Sequence, residues 1–138
     1  MSLRLPSSAV SFRAAGRALL GAALLAGAAF AQAAGMPYDK AKFDAAVAQG
    51  KPVLMQFAAD WCPTCKEQKP IVRALMNDPK RKNLTLFLAD FDKEEALKKR
   101  LGVTMQSTLI AFKSGKEVAR STGQTDKAEL GALLDKAL

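Results

Sequence analysis

Seven residues, Val53–Ala59, are apolar apart from Gln56, and only Asp60 and Trp61 separate them from Cys62-Pro63-Thr64-Cys65. A short, nearly continuous apolar run predicts a buried strand. Leu84–Ala89 repeats the pattern, apolar at both alternating sets of positions, as a strand covered on both sides must be. Between them, Pro63–Met76 has the spacing of a helix. Pro63 falls near its first position, where the missing N–H costs nothing. Ile71, Val72, Leu75 and Met76 supply an apolar face, and Pro70 falls inside, where a kink is expected. Strand, helix and strand therefore form a parallel unit.

The flanks extend this unit. Asp39–Gln49 reads as a helix with Phe43 and Val47 on one face, ended by Gly50. Lys93–Leu101 reads as a charged surface helix ended by Gly102. Thr108–Phe112 and Glu117–Ser121 read as strands around the hairpin signal Lys113-Ser114-Gly115-Lys116. A last helix starts at Asp126, with Glu129 completing a capping box and Leu130, Leu133, Leu134 and Leu138 as its apolar stripe. The order α-β-α-β-α-β-β-α specifies an α/β fold with a central mixed sheet of about four strands flanked by helices.

Residues 1–33 have the composition of an address rather than of a structural element. They carry Arg4, Arg13 and Arg17 and no acid, then the apolar run Ala18–Phe30, then Ala31-Gln32-Ala33. A basic start, an apolar stretch and small residues in that order predict a cleaved signal peptide, cut after Ala33 or Ala31. An uncleaved membrane anchor is the alternative. A span needs roughly 20 apolar residues, and Gln32, Gly35 and Pro37 interrupt the uncharged stretch that runs on to Tyr38. The expected organisation is a signal peptide at 1–33 and one domain at 34–138, exported to the periplasm, where thiol chemistry has a purpose.

The formal charge is +8; setting aside the three leader arginines leaves 18 basic and 13 acidic residues, or +5. Lys80-Arg81-Lys82 and Lys98-Lys99-Arg100 concentrate it. They read either as a docking patch for an acidic or membrane-surface partner or as solvated loop and helix ends. The aromatic interleaving of a nucleic-acid surface is missing, so no nucleic-acid partner is expected.

There are two cysteines and no histidine. One bridge across so small a loop restrains the unfolded chain little, so the pair is better explained by reactivity than by stability. A zinc site needs about four ligands, so a metal site or cluster would require two chains. Cys62 falls where a strand gives way to a helix, whose unpaired N–H groups and positive dipole end stabilise a thiolate. Cys65 lies one turn further along on the same side. The expected chemistry is a two-step exchange in which Cys62 reacts as an exposed thiolate and Cys65 resolves the mixed disulfide. Lys66 and Lys69 add positive potential or are simply solvated.

Ala59-Asp60-Trp61-Cys62-Pro63-Thr64-Cys65-Lys66, then Pro70, Gly102-Val103, Thr108, Phe112-Lys113-Ser114-Gly115 and Gly123, occur in the order found in thioredoxins. The chain resembles that family over nearly the whole of residues 34–138. The resemblance implies a thioredoxin-like fold, Trp61 flanking the site with Pro63 and Thr64, Cys62 as nucleophile, and no cofactor beyond the Cys62–Cys65 disulfide. It implies protein thiols and disulfides as partners, a monomer, and a membrane partner that relays electrons outward. The family's additional N-terminal strand is expected to be absent.

Three positions depart from the family pattern. Met105-Gln106-Ser107-Thr108 stands where the family has a cis-proline, so Ser107 replaces proline. A cis bond there would cost roughly 3 kcal/mol, so Gln106–Ser107 is expected to be trans or the loop strained, with space opened beside the sulfurs. Gln56 stands where the family has a buried acid for proton transfer, and glutamine takes no proton at neutral pH. Leu88 replaces the lysine often paired with that acid, so neither charge is left buried alone. These changes suggest a slower or specialised exchanger. The expected function is a protein-disulfide reductase. Disulfide oxidase activity is one alternative, although the histidine that oxidase relatives carry between the cysteines is absent. A non-catalytic binding module or a dimeric metal or iron–sulfur binder is another.

Overall fold

The computed structural model describes residues 34–138; the expected signal peptide at 1–33 lies outside the described residues. The elements are β1 (Met36–Pro37), α1 (Lys40–Ala48), β2 (Val53–Ala58), α2 (Pro63–Met76), a 3-10 turn (Pro79–Arg81), β3 (Thr85–Asp90), α3 (Glu95–Leu101), β4 (Thr108–Lys113), β5 (Lys116–Thr122) and α4 (Lys127–Asp135). Every expected element forms, with ends moved by one or two residues.

The strands make one sheet in the order β1-β3-β2-β4-β5. β1, β2 and β3 are parallel, while β4 runs antiparallel to β2 and β5 antiparallel to β4. The sheet therefore has five strands rather than about four, and the N-terminal strand expected to be missing is present. It pairs Met36 with Phe87 and Pro37 with Leu88. Two residues carry no periodicity, so only the tertiary pairing reveals this strand.

The continuous apolar runs are explained by a covering layer on each face. Leu54, Leu86, Leu109 and Ala111 meet Val72, Leu75 and Met76 of α2 and Leu130, Leu133 and Leu134 of α4. On the other face Val53, Met55, Phe57, Phe87 and Ile110 meet Phe43 of α1 and Leu97 of α3. Phe43 stands edge-on to Phe87 and Phe112, with ring centroids 5.6 and 5.4 Å apart, the arrangement favoured by aromatic quadrupoles. Alternation along β2 sends Gln56 to the α2 side, opposite the β3 neighbour Leu88.

Details of the ends differ from the sequence-based reading. Asp39 caps α1 by accepting from the Lys42 amide at 2.9 Å. At α4 only half of the capping box forms. Asp126 accepts from the Glu129 amide, but its own N–H donates to Gln124 Oε1 instead of Glu129. Leu138 lies beyond the helix and is exposed. Neither basic run is wholly solvated. Arg81 is buried, donating to the carbonyls of Leu75 and Gly131 and to Asp135, so it ties α2 to α4. Lys98 lies over the Phe91 ring and pairs with Glu95. An arginine fork can meet several carbonyls at once, which a charge count along the chain does not reveal.

Candidate active site

The site forms where β2 ends. The chain turns through Asp60 and Trp61 and enters α2 at Cys62, which is the helix N-cap, with Pro63 in the first turn. Cys62 is extended (φ −83°, ψ 112°), and its sulfur accepts from the Cys65 amide at 3.1 Å. The cap role normally taken by a serine or aspartate oxygen is here performed by sulfur. The same donor would hold a thiolate, because an unpaired first-turn N–H favours negative charge. Pro70 lies inside α2 and withholds an amide from the turn before it.

Cys62 and Cys65 are joined as a disulfide, with Cα atoms 5.3 Å apart. They pack with Ala58, Ala59 and Phe91. In this oxidised state Cys62 is 1 % and Cys65 0 % exposed. The expectation of an exposed nucleophile is corrected for this state: both sulfurs are covered. Against them stands the residue at the family's cis-proline position. Ser107 Oγ lies 3.2 Å from Cys62 Sγ and 3.0 Å from Cys65 Sγ. Disulfide sulfurs carry no proton, so Ser107 is the donor, its single hydroxyl hydrogen shared between the two. The hydroxyl occupies the space expected to open beside the sulfurs.

Ser107 holds an unusual backbone. Among the described residues no peptide bond is cis, so Gln106–Ser107 is trans. Ser107 has φ 58°, in the left-handed region. A residue with a Cβ enters that region at a cost of roughly 1–2 kcal/mol. Trans geometry and strain, posed as alternatives from the sequence, occur together. The Ser107 carbonyl accepts from the Gly123 amide at 3.0 Å and from Gln68 Nε2 at 3.2 Å, and these bonds offset the strain.

Gln68 was not singled out by the sequence reading. It is fully buried on the inner face of α2, in register with Cys65, Val72, Leu75 and Met76. Its NH2 donates to the carbonyls of Ser107 and Gln124, at 3.2 and 2.9 Å, and its Oε1 accepts from Gln56 Nε2 at 3.1 Å. A polar side chain one turn from Cys65 on an otherwise apolar face was the available signal. Gln56 is buried as expected, and its amide engages Gln68.

The other candidate residues form the rim. Trp61 is 57 % exposed and donates to Asp92 Oδ2 at 2.8 Å, which fixes the ring beside the site. Pro63 is exposed, while Thr64 and Gln106 are half-buried. Met105, two residues before Ser107, is a second large exposed apolar side chain. Thr108 does not line the sulfurs. Its hydroxyl donates to the Met105 carbonyl and accepts from Thr122, closing the loop that presents Ser107. Lys69 lies 3.9 Å from the exposed carboxylate of Asp60.

The sequence and the fold are matched by known proteins. The thioredoxin family model covers residues 35–136. The chain belongs to the thioredoxin family. It is 39 % identical to thioredoxin of Chlamydia muridarum over 84 residues, which is 61 % of this chain and 80 % of that protein. With thioredoxin of Chlamydia pneumoniae it shares 35 % over 94 residues, 68 % and 89 % of the two chains. Among solved structures, Trxlp from Edwardsiella tarda superposes with a TM-score of 0.69 at 41 % identity, covering 71 % of this chain and 95 % of that one. A thioredoxin from Halobacterium salinarum gives 0.65 at 26 % identity, over 78 % and 94 % of the two chains. The thioredoxin fold and the Cys62–Cys65 pair together make this protein a thiol–disulfide oxidoreductase.

Proposed function

We propose that the protein reduces disulfides of protein substrates after export to the periplasm, with Cys62 as nucleophile and Cys65 as resolving thiol. The observation that carries the exchange chemistry, in either direction, is the setting of Cys62 Sγ, which accepts from the Cys65 amide at 3.1 Å and lies 3.2 Å from the Ser107 hydroxyl. Two donors aimed at one sulfur favour its thiolate form.

The cycle starts from the dithiol. The Cys62 thiolate attacks one sulfur of a substrate disulfide, forming a Cys62–substrate bond and releasing the other substrate sulfur as a thiolate. Cys65 passes its proton to the departing substrate thiolate, since Gln56 accepts none. The Cys65 thiolate then attacks Cys62 Sγ, reforming the internal disulfide and releasing the second substrate sulfur as a thiolate, which takes a proton from water. Two electrons pass from the pair to the substrate. Trp61 and Met105, both exposed, offer apolar contact to a substrate chain. Recycling requires a dithiol partner, which for an exported protein means electrons relayed across the membrane.

Ser107 favours a second reading, as an oxidase. A hydroxyl that stabilises the thiolate more than the disulfide stabilises the reduced form. The absence of histidine throughout the chain weighs toward reduction. The test is insulin reduction by dithiothreitol, comparing the protein with Cys62→Ser. Equal turbidity rates would end the catalytic reading. Equilibration with glutathione decides direction: about −270 mV marks a reductant and about −120 mV an oxidant.

A further inference from the structure

We propose that Gln68 is a positioning residue of the exchange site, acting on the reactive sulfurs through Ser107. The proposal rests on reading Cys62 as the attacking thiol and adds the group that prepares its environment.

The inner face of α2 needs no amide for packing. Its other buried residues, Cys65, Val72, Leu75 and Met76, are apolar, and a methionine of similar length would fill the volume of Gln68. An amide buried to 0 % exposure is retained only where its polar atoms are paired. All the pairings of Gln68 lead to the site. Two carbonyl oxygens, of Ser107 and Gln124, face one end, and only an NH2 group can serve both. This sets the orientation of the amide and leaves Oε1 for Gln56 Nε2. Gln56 braces Gln68 from β2 by donating to that oxygen, and Gln68 joins the loop before β4 to the loop before α4.

The consequence falls on Ser107. Its left-handed φ of 58° is a conformation that serine rarely holds unaided. Its carbonyl is gripped by the Gln68 amide and the Gly123 N–H. Fixing the carbonyl fixes the Cα–Cβ direction, and that direction brings Oγ within 3.2 Å of both sulfurs. Without Gln68 the Ser107 peptide is released toward a less strained conformation, and the hydroxyl swings away from the sulfurs. A neutral amide pair thus sets the electrostatics of the site by placing a donor.

The test titrates the Cys62 thiol in the reduced protein by the ultraviolet absorbance of its thiolate. Ser107→Ala is expected to raise its pKa by about one unit, the value of one hydrogen bond to a charged acceptor. Gln68→Met is expected to raise it by about half a unit or more, part of the same bond. The double variant Gln68→Met/Ser107→Ala is expected to match Ser107→Ala alone, because Gln68 has nothing left to position. The proposal is overturned if Gln68→Met leaves the pKa unchanged, or raises it equally with and without the Ser107 hydroxyl. If Gln68→Met does not fold, Gln56→Leu carries the same comparison, with a smaller rise expected that vanishes in Ser107→Ala. The titration needs no substrate, so its outcome is independent of the insulin assay.

Discussion

Ser107→Ala should make the Cys62–Cys65 pair more reducing. Alanine retains the Cβ, so the left-handed backbone and its strain stay the same, and only the hydroxyl is lost. In the oxidised protein that hydroxyl serves two neutral sulfurs at 3.2 and 3.0 Å. In the reduced protein it serves a charged one. A hydrogen bond to a charged group contributes ~1.5–3 kcal/mol, against ~0.5–1.5 kcal/mol for a neutral pair. The difference, ~1–2 kcal/mol in favour of the reduced state, disappears in the variant. Burial of both sulfurs leaves little room for water to replace the donor. For a two-electron couple this moves the potential by ~20–45 mV to more negative values. Equilibration against glutathione, read by Trp61 fluorescence beside the pair, measures it. An unchanged potential, or one displaced to less negative values, would refute the assignment of Ser107 as a donor that favours the thiolate.

Two further predictions concern the frame. A hydrogen bond from Lys80, against the opposing effect of burial and with further help from Arg81, holds the Asp135 carboxyl below its ordinary range. Its contribution is therefore complete above the ordinary carboxylate pKa and is lost as pH falls through the depressed folded value. Asp135 is 39 % exposed, so screening discounts the pair, and Asp135→Asn should cost about 1–2 kcal/mol at neutral pH while flattening the acid limb of the stability curve. An acid limb identical to that of the parent protein would contradict this. Gly102 ends α3 at φ 62°, and a Cβ there would meet nothing within 4 Å. Gly102→Ala should then cost only the backbone term, about 1 kcal/mol or about 5 °C in thermal unfolding. A loss beyond about 2.5 kcal/mol would mean that the added methyl group clashes.

Local pattern was enough for most of the frame. Apolar runs flanked by caps and glycines marked four strands and four helices, because burial on both faces and helical spacing both leave periods in the sequence. Spacing also placed Cys62 at a helix start, where backbone N–H groups meet it. Two-residue β1 left no period and became visible only through its pairing with Phe87 and Leu88. Arg81 looked like part of a surface run until the fold surrounded it with carbonyls from two helices.

By itself the sequence determined the α/β order and the thiol chemistry of Cys62 and Cys65, and its resemblance to the family marked Gln56 as standing where an acid is usual. Tertiary structure alone decided what surrounds the sulfurs. Residues 56, 68, 107, 123 and 124 are scattered along the chain, and no period links them. They meet because β2, α2 and the loops before β4 and α4 converge at one end of the sheet. There a strained serine, held by a buried glutamine, presents its hydroxyl to both cysteines. Hydrogen-bond direction depends on angles and distances in space, and residue order along the chain does not encode it.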